Sequence, residues 1–85
     1  MASYSVVVAA SAIKELGVFP KKDRQRIAAR LRSLAQNLRP PGHEKLAGQN
    51  RYRVREGDYR IIYAIDDANP TVDVVKIGHR KEVYR

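Results

Sequence analysis

At 85 residues, with no cysteine, the chain is one small domain, residues 1–85, without disulfides or thiolate metal sites. Seventeen Lys+Arg against nine Asp+Glu give a net charge of +8 and a pI near 10.2, which favours polyanionic partners: nucleic acid, an anionic surface or an acidic protein segment. The longest apolar run, Val6 to Ala10, is far short of the roughly 20 residues a membrane span needs and follows no basic n-region, so neither a membrane segment nor a signal peptide is expected, and the cytoplasm is the expected location.

Tyr4 to Val8 (YSVVV) is β-rich and forms the natural first strand. Ala9 to Leu16 reads as a short helix with Ile13 and Leu16 toward the core and Gly17 as its stop. Pro20 breaks the chain. A longer helix follows from about Lys21 to Leu38, where Ile27, Leu31, Leu34 and Leu38 recur at the spacing of one helical stripe, with Arg24, Arg26, Arg30 and Arg32 mostly off it. Pro40-Pro41-Gly42 is the expected terminator, and Gly42 to Asn50 a loop with Leu46 as its apolar plug.

Arg51 to Ile65 (RYRVREGDYRIIYAI) is the most informative stretch. Strict alternation on either side of Glu56-Gly57-Asp58 predicts a hairpin. One face would bury Tyr52, Val54, Tyr59, Ile61 and Tyr63, and the other would display Arg53, Arg55 and Arg60. A turn at Asp66 to Pro70 leads to a last strand from Thr71 to about His79. Simple alternation there puts Val72, Val74, Lys76 and Gly78 on one face, and Val75 and Ile77 on the other. The order β-α-α-β-β-β predicts an α+β fold, an antiparallel sheet with a helical hairpin packed on one face.

Metal chemistry finds little support. His43 and His79 have no second ligand at helical or strand spacing, and Asp66 and Asp67 are better read as turn-formers. No cofactor motif is present, and without cysteine a thiol nucleophile is excluded. The remaining constellation is cationic: Arg53, Arg55 and Arg60, joined by Lys76 and Arg80 if the last strand pairs beside the hairpin, with Tyr84 at the rim. Guanidinium groups bind phosphate bidentately, and an aromatic ring stacks on a base. Such a set can pin a scissile RNA phosphate while the RNA's own 2′-hydroxyl attacks, the arginines stabilising the charge that develops.

Four pieces also carry a family resemblance: Lys45-Leu46-x-Gly48; Tyr52-Arg53-Val54-Arg55; Gly57-x-Tyr59-Arg60-Ile61-Ile62-Tyr63; and Gly78-His79-Arg80-Lys81-Glu82-Val83-Tyr84. In this order the chain resembles the RelE branch of the RelE/ParE toxin superfamily over nearly its whole length. The resemblance implies a toxin of a type II toxin–antitoxin pair that cuts mRNA in the ribosomal A site without a metal, leaving a 2′,3′-cyclic phosphate and a 5′-hydroxyl. It implies as partners the ribosome and mRNA, a cognate antitoxin with an acidic wrapping segment, and operator DNA for the toxin–antitoxin complex. Position by position, it implies phosphate binding by Arg53 and Arg55, with Arg55 also assisting the nucleophile. It further implies a grip on the scissile phosphate by Arg60, leaving-oxygen stabilisation by Arg80 and base stacking by Tyr84. Lys76 joins the phosphate-binding set if the last strand pairs beside the hairpin.

The best-studied members carry lysines where this chain has Arg53 and Arg55. A guanidinium stays protonated in proteins and does not act as a base. Either electrostatic stabilisation suffices, or Tyr84 or ribosomal RNA assists. His79 is of a residue type used in acid–base work, but alternation sets it opposite Arg80, so it reads as structural. Two other readings stay open: a ParE-like toxin that inhibits DNA gyrase by binding it, and a catalytically inactive basic binding module.

Overall fold

The structure, a computed structural model, describes residues 4–39, 43–46 and 51–79. Its elements in chain order are β1 (Ser5–Val8), α1 (Ala10–Gly17), α2 (Lys21–Leu34), β2 (Glu44–Lys45), β3 (Arg51–Glu56), β4 (Tyr59–Asp66) and β5 (Thr71–His79). The strands form one sheet in the order β1-β5-β4-β3-β2. Both helices cover one face, so the α+β, two-layer expectation holds.

The sheet is mixed rather than antiparallel throughout, because β1 pairs parallel to β5, with Ser5 opposite Thr71 and Val8 opposite Val74. The reason is topological. β3, β4 and β5 form an antiparallel meander, so β3 and β5 point the same way, and β2 reverses the chain once more before β3. The helical crossover therefore returns the chain at one edge, and the meander walks back to β1 at the other. β2 was not expected: at two residues, both exposed, it has no alternation to read.

α1 ends at Gly17, the expected stop, though not through a glycine cap, and α2 ends short of Leu38. Gly17 stays within α1 and lacks the positive φ of a left-handed cap; the stop is made by the Val18 and Phe19 amides donating to the Glu15 and Leu16 carbonyls (3.3 and 3.2 Å), with Pro20 beyond. α2 closes at Leu34, where the Ala35 and Gln36 amides turn back to Arg32 and Ser33 (3.3 and 3.2 Å). Leu38 lies outside α2 yet still packs on the core. Pro40 to Gly42 lie outside the described residues.

The core is the α2 stripe Ile27, Leu31 and Leu34, with Ala12 from α1, set on Val54, Ile61, Tyr63, Val72, Val74 and Ile77 of the sheet. Here α1 departs from expectation. Ala12 is fully buried and Leu16, one turn on, packs beside it, whereas Ile13 is 56% exposed. A four-residue step keeps Ala12 and Leu16 on one stripe, and Ile13 sits about 100° away around the helix.

β5 also breaks its simple parity. Tyr63 faces Val74 but Ile62 faces Lys76, so Val75 is an extra, bulged residue. The bulge resets the alternation: Val72, Val74 and Ile77 share the core side, while Lys76 and Gly78 join Ile62 and Arg60 on the open side.

Three tyrosine hydroxyls fasten loops and layers. Tyr63 donates to the Leu38 carbonyl (2.7 Å), Tyr59 to Asp23 of α2 (2.8 Å) and Tyr4 to Asp67 (2.6 Å). All three phenols titrate above their ordinary value: Tyr63 because of burial, and Tyr59 and Tyr4 because each phenol proton is held by a carboxylate. A pKa raised by folding means that the unfolded chain ionises first, so this stability is present below about pH 10 and is lost as pH rises through the folded-state values. Thermal melts across the alkaline range should therefore show stability falling above about pH 10, and less steeply in Tyr59→Phe than in the parent chain.

Candidate active site

The open face of the sheet is assembled by register. The β3–β4 hairpin turns through Gly57 and Asp58, and Gly57 has φ +60°, the first central position of a II′-type turn. The tip is held from α2. Arg26 reaches Glu56 at 3.3 Å, Arg30 reaches the same carboxylate at 3.8 Å, and Arg30 Nη2 donates to the Arg55 carbonyl at 3.4 Å. A Cβ at Gly57 would meet the Arg26 guanidinium at 3.3 Å, so glycine also admits this clamp. The sequence stripe had marked Arg26 and Arg30 only as off the core side. Their supporting role depends on the tip folding back over α2, which periodicity does not show.

Paired residues on adjacent strands share a face. Arg55 lies opposite Arg60, Arg53 opposite Ile62, Arg60 opposite Gly78 and Ile62 opposite Lys76. Arg53, Arg55, Arg60 and Lys76 are thus brought onto one surface, as alternation on the hairpin anticipated for the three arginines; Lys76 joins them through the bulge at Val75. Their environments differ. Arg53 donates to Glu44 at 2.8 Å and Lys76 to Glu15 of α1 at 2.9 Å, so each already faces a carboxylate.

Arg55 and Arg60 face no carboxylate among the described residues. Arg55 is exposed. Arg60, expected on the surface, is buried to 7% exposure, and its recorded contact is a long 3.4 Å bond from Nη1 to the Tyr59 carbonyl. Its neighbour across β5 is Gly78, which brings no side chain to compete for that space. His79 pairs with Tyr59 on the helix side, ring edge to face at 5.9 Å, in keeping with a structural histidine. Asp66 shapes its turn by accepting from the Ala68 amide (3.0 Å) and the Asn69 side chain. Arg80 and Tyr84 lie outside the described residues.

Residues 6–84 match the family model described as the ParE toxin of the type II toxin–antitoxin system, parDE. The chain belongs to the RelE/ParE toxin family. Within that family it is similar to toxin RelE of Mycobacterium tuberculosis, 31% identical over 96% of this chain and 87% of that protein. It is also similar to toxin RelG of the same organism, 40% identical over 53% of this chain but only 49% of RelG's length. Its fold matches RelE of the Pyrococcus horikoshii RelE–RelB complex, with a TM-score of 0.83 at 27% identity over 94% of this chain and 98% of that one. It likewise matches the isolated E. coli RelE toxin, with a TM-score of 0.80 at 25% identity over 96% and 92% of the two chains.

For this RelE-type toxin, the Arg55–Arg60 pair is the chemically pointed feature. Like charges directly opposite on adjacent strands cost on the order of 0.2–1 kcal/mol, and a phosphate between two guanidinium groups reverses the sign of that interaction. Inorganic phosphate should raise the melting temperature of the parent chain more than chloride does at equal ionic strength. Arg55→Ala should melt higher than the parent at low salt and lose most of the phosphate response. Arg60→Ala should melt lower, because it empties a buried site.

Proposed function

We propose that this RelE/ParE-family toxin is a metal-independent endoribonuclease that cuts mRNA in the ribosomal A site and so inhibits translation. The observation that carries this reading is the cross-strand pair of Arg55 and Arg60, one exposed and one buried, with no carboxylate on either guanidinium among the described residues. A phosphodiester set between them would have its ground-state charge matched and its extra transition-state charge stabilised by donors fixed in a sheet.

In the step proposed, the 2′-oxygen of the RNA attacks the adjacent phosphorus while losing its proton. The P–O5′ bond breaks, and the departing 5′-oxygen takes up a proton, giving a 2′,3′-cyclic phosphate and a 5′-hydroxyl. Arg60 grips the non-bridging oxygens and Arg55 stabilises the attacking end. Arg80 is assigned to the leaving oxygen and Tyr84 to base stacking. Arg53 and Lys76 exchange their carboxylates for neighbouring phosphates. Arginines at 53 and 55 leave proton removal to Tyr84 or the ribosome, or make electrostatic stabilisation sufficient.

The partner that silences the toxin is a cognate antitoxin whose acidic segment covers the arginine face. Support comes from a structural relative in the Pyrococcus horikoshii RelE–RelB complex. The toxin–antitoxin pair is assigned operator binding, and the toxin's work is assigned to the cytoplasm. Among the described residues no helix is long and apolar enough to cross a membrane. The matching model's ParE description favours gyrase as the second reading.

Primer extension on a defined mRNA, with and without translating ribosomes, tests the proposal. Cuts within A-site codons should appear only with ribosomes, and Arg55→Ala should slow them on the order of 10²–10³-fold while the protein remains folded. Cutting that survives this substitution would remove the assigned site, and cutting of naked mRNA would mean a free ribonuclease. Intact mRNA together with arrested supercoiling by gyrase would establish the ParE-like alternative.

A further inference from the structure

The cationic sheet face accounts for only part of the charge. α2 carries six basic residues and one acidic one, Asp23, a net +5 within 14 residues of a chain whose net charge is +8. It lies in the other layer, covering the core face of the sheet rather than the face that holds Arg55 and Arg60. Its one acid is engaged by the Tyr59 hydroxyl at 2.8 Å. Arg26 and Arg30 are held by Glu56. Lys21, Lys22, Arg24 and Arg32 remain, all exposed and without an ion-pair partner among the described residues. Between them the helix exposes small or polar side chains, Gln25, Ala29 and Ser33.

We propose that the outer face of α2 is a second nucleic-acid surface, which docks the phosphate backbone of double-stranded RNA independently of sequence. The inference rests on the RNA-directed reading of the arginine site and adds a second contact on the opposite layer.

Three features select this occupant. A protein segment that binds stably needs an apolar anchor, and the exposed large apolar side chains among the described residues, Val7, Ile13 and Val18, lie on β1, on α1 and just after α1 rather than on α2. A single strand is held by aromatic stacking, and α2 contains no aromatic residue. What remains is a helix about 21 Å long, carrying point charges and short side chains, which suits a rigid, regularly charged backbone. Long basic stems around small residues let phosphates approach the helix closely.

On this arrangement the toxin sits between two RNA elements. The substrate strand lies against the sheet, and a structured duplex lies against α2. The second contact supplies affinity and orientation rather than chemistry.

The test is equilibrium binding of the purified, antitoxin-free chain to a fluorescein-labelled RNA duplex of about 16 base pairs, titrated across about 50 to 200 mM salt. Replacing Lys21, Lys22, Arg24 and Arg32 together by alanine keeps a strong helix former at every position. The quadruple variant should bind at least about tenfold more weakly and lose about 3 from the logarithmic salt slope, against a loss of at most about 1 for Arg55→Ala. Unchanged circular dichroism and melting temperature are expected, and single replacements serve if the quadruple variant melts lower.

A quadruple variant that binds like the parent would overturn the proposal. So would tighter binding to a DNA duplex of the same length. Equal competition by a poly-glutamate peptide at matched charge would assign the face to an acidic protein instead. Binding is read without ribosomes or cleavage. A failed mRNA-cutting assay therefore leaves this result standing, and a null result here leaves the arginine-pair reading untouched.

Discussion

The pairing of β3 with β4 sets Val54 opposite Ile61 and Tyr52 opposite Tyr63 on one face, and Arg55 opposite Arg60 on the other. A slip of one residue would exchange the faces, putting guanidinium groups into the core and tyrosine and valine into water. Burial of Val54, Ile61 and Tyr63 against the α2 stripe therefore holds the arginines together as firmly as it holds the core. The hairpin tip depends on the same layer, since Glu56 is tied to Arg26 and Arg30. Core packing and the site's geometry are one constraint seen from two sides.

That constraint explains how a small basic chain tolerates its charge. On the open sheet face Arg55 and Arg60 stand opposite each other with no carboxylate among the described residues, while Arg53 and Lys76 are each matched with one. The helix charges are spread along an exposed rod where water screens them. Repulsion is thus concentrated where an anion relieves it, and Arg60 sits there with its stem buried beside Gly78.

Alternation and the helical repeat made much of this legible in advance. The hairpin, its turn, the Ile27-Leu31-Leu34 stripe and the shared face of Arg53, Arg55 and Arg60 depend on local periodicity, which a single sequence displays. What it hid depends on distant contacts. The bulge at Val75 is set by how β5 meets β4, and it moves Lys76 from the valine side to the arginine side. Ile13 and Ala12 are equally good candidates for a buried stripe until α1 is docked, and the docking chose the smaller residue. Arg60 is buried opposite a glycine nearly 20 residues away in sequence, and the parallel edge comes from a chain that circles the whole sheet. Arg80 and Tyr84, assigned by resemblance, lie outside the described residues, so the geometry rests on the hairpin and β5.

The parallel pairing of β1 with β5 has a consequence for biosynthesis. β1 joins β5, which is made much later, with both helices and the hairpin between them. Closing so long a loop is slow relative to forming local contacts, and it can begin only when β5 has been synthesised and has left the exit tunnel. The hairpin needs no such wait, because its two strands are adjacent in the chain. A nascent copy thus pairs Arg55 with Arg60 before it owns a closed sheet.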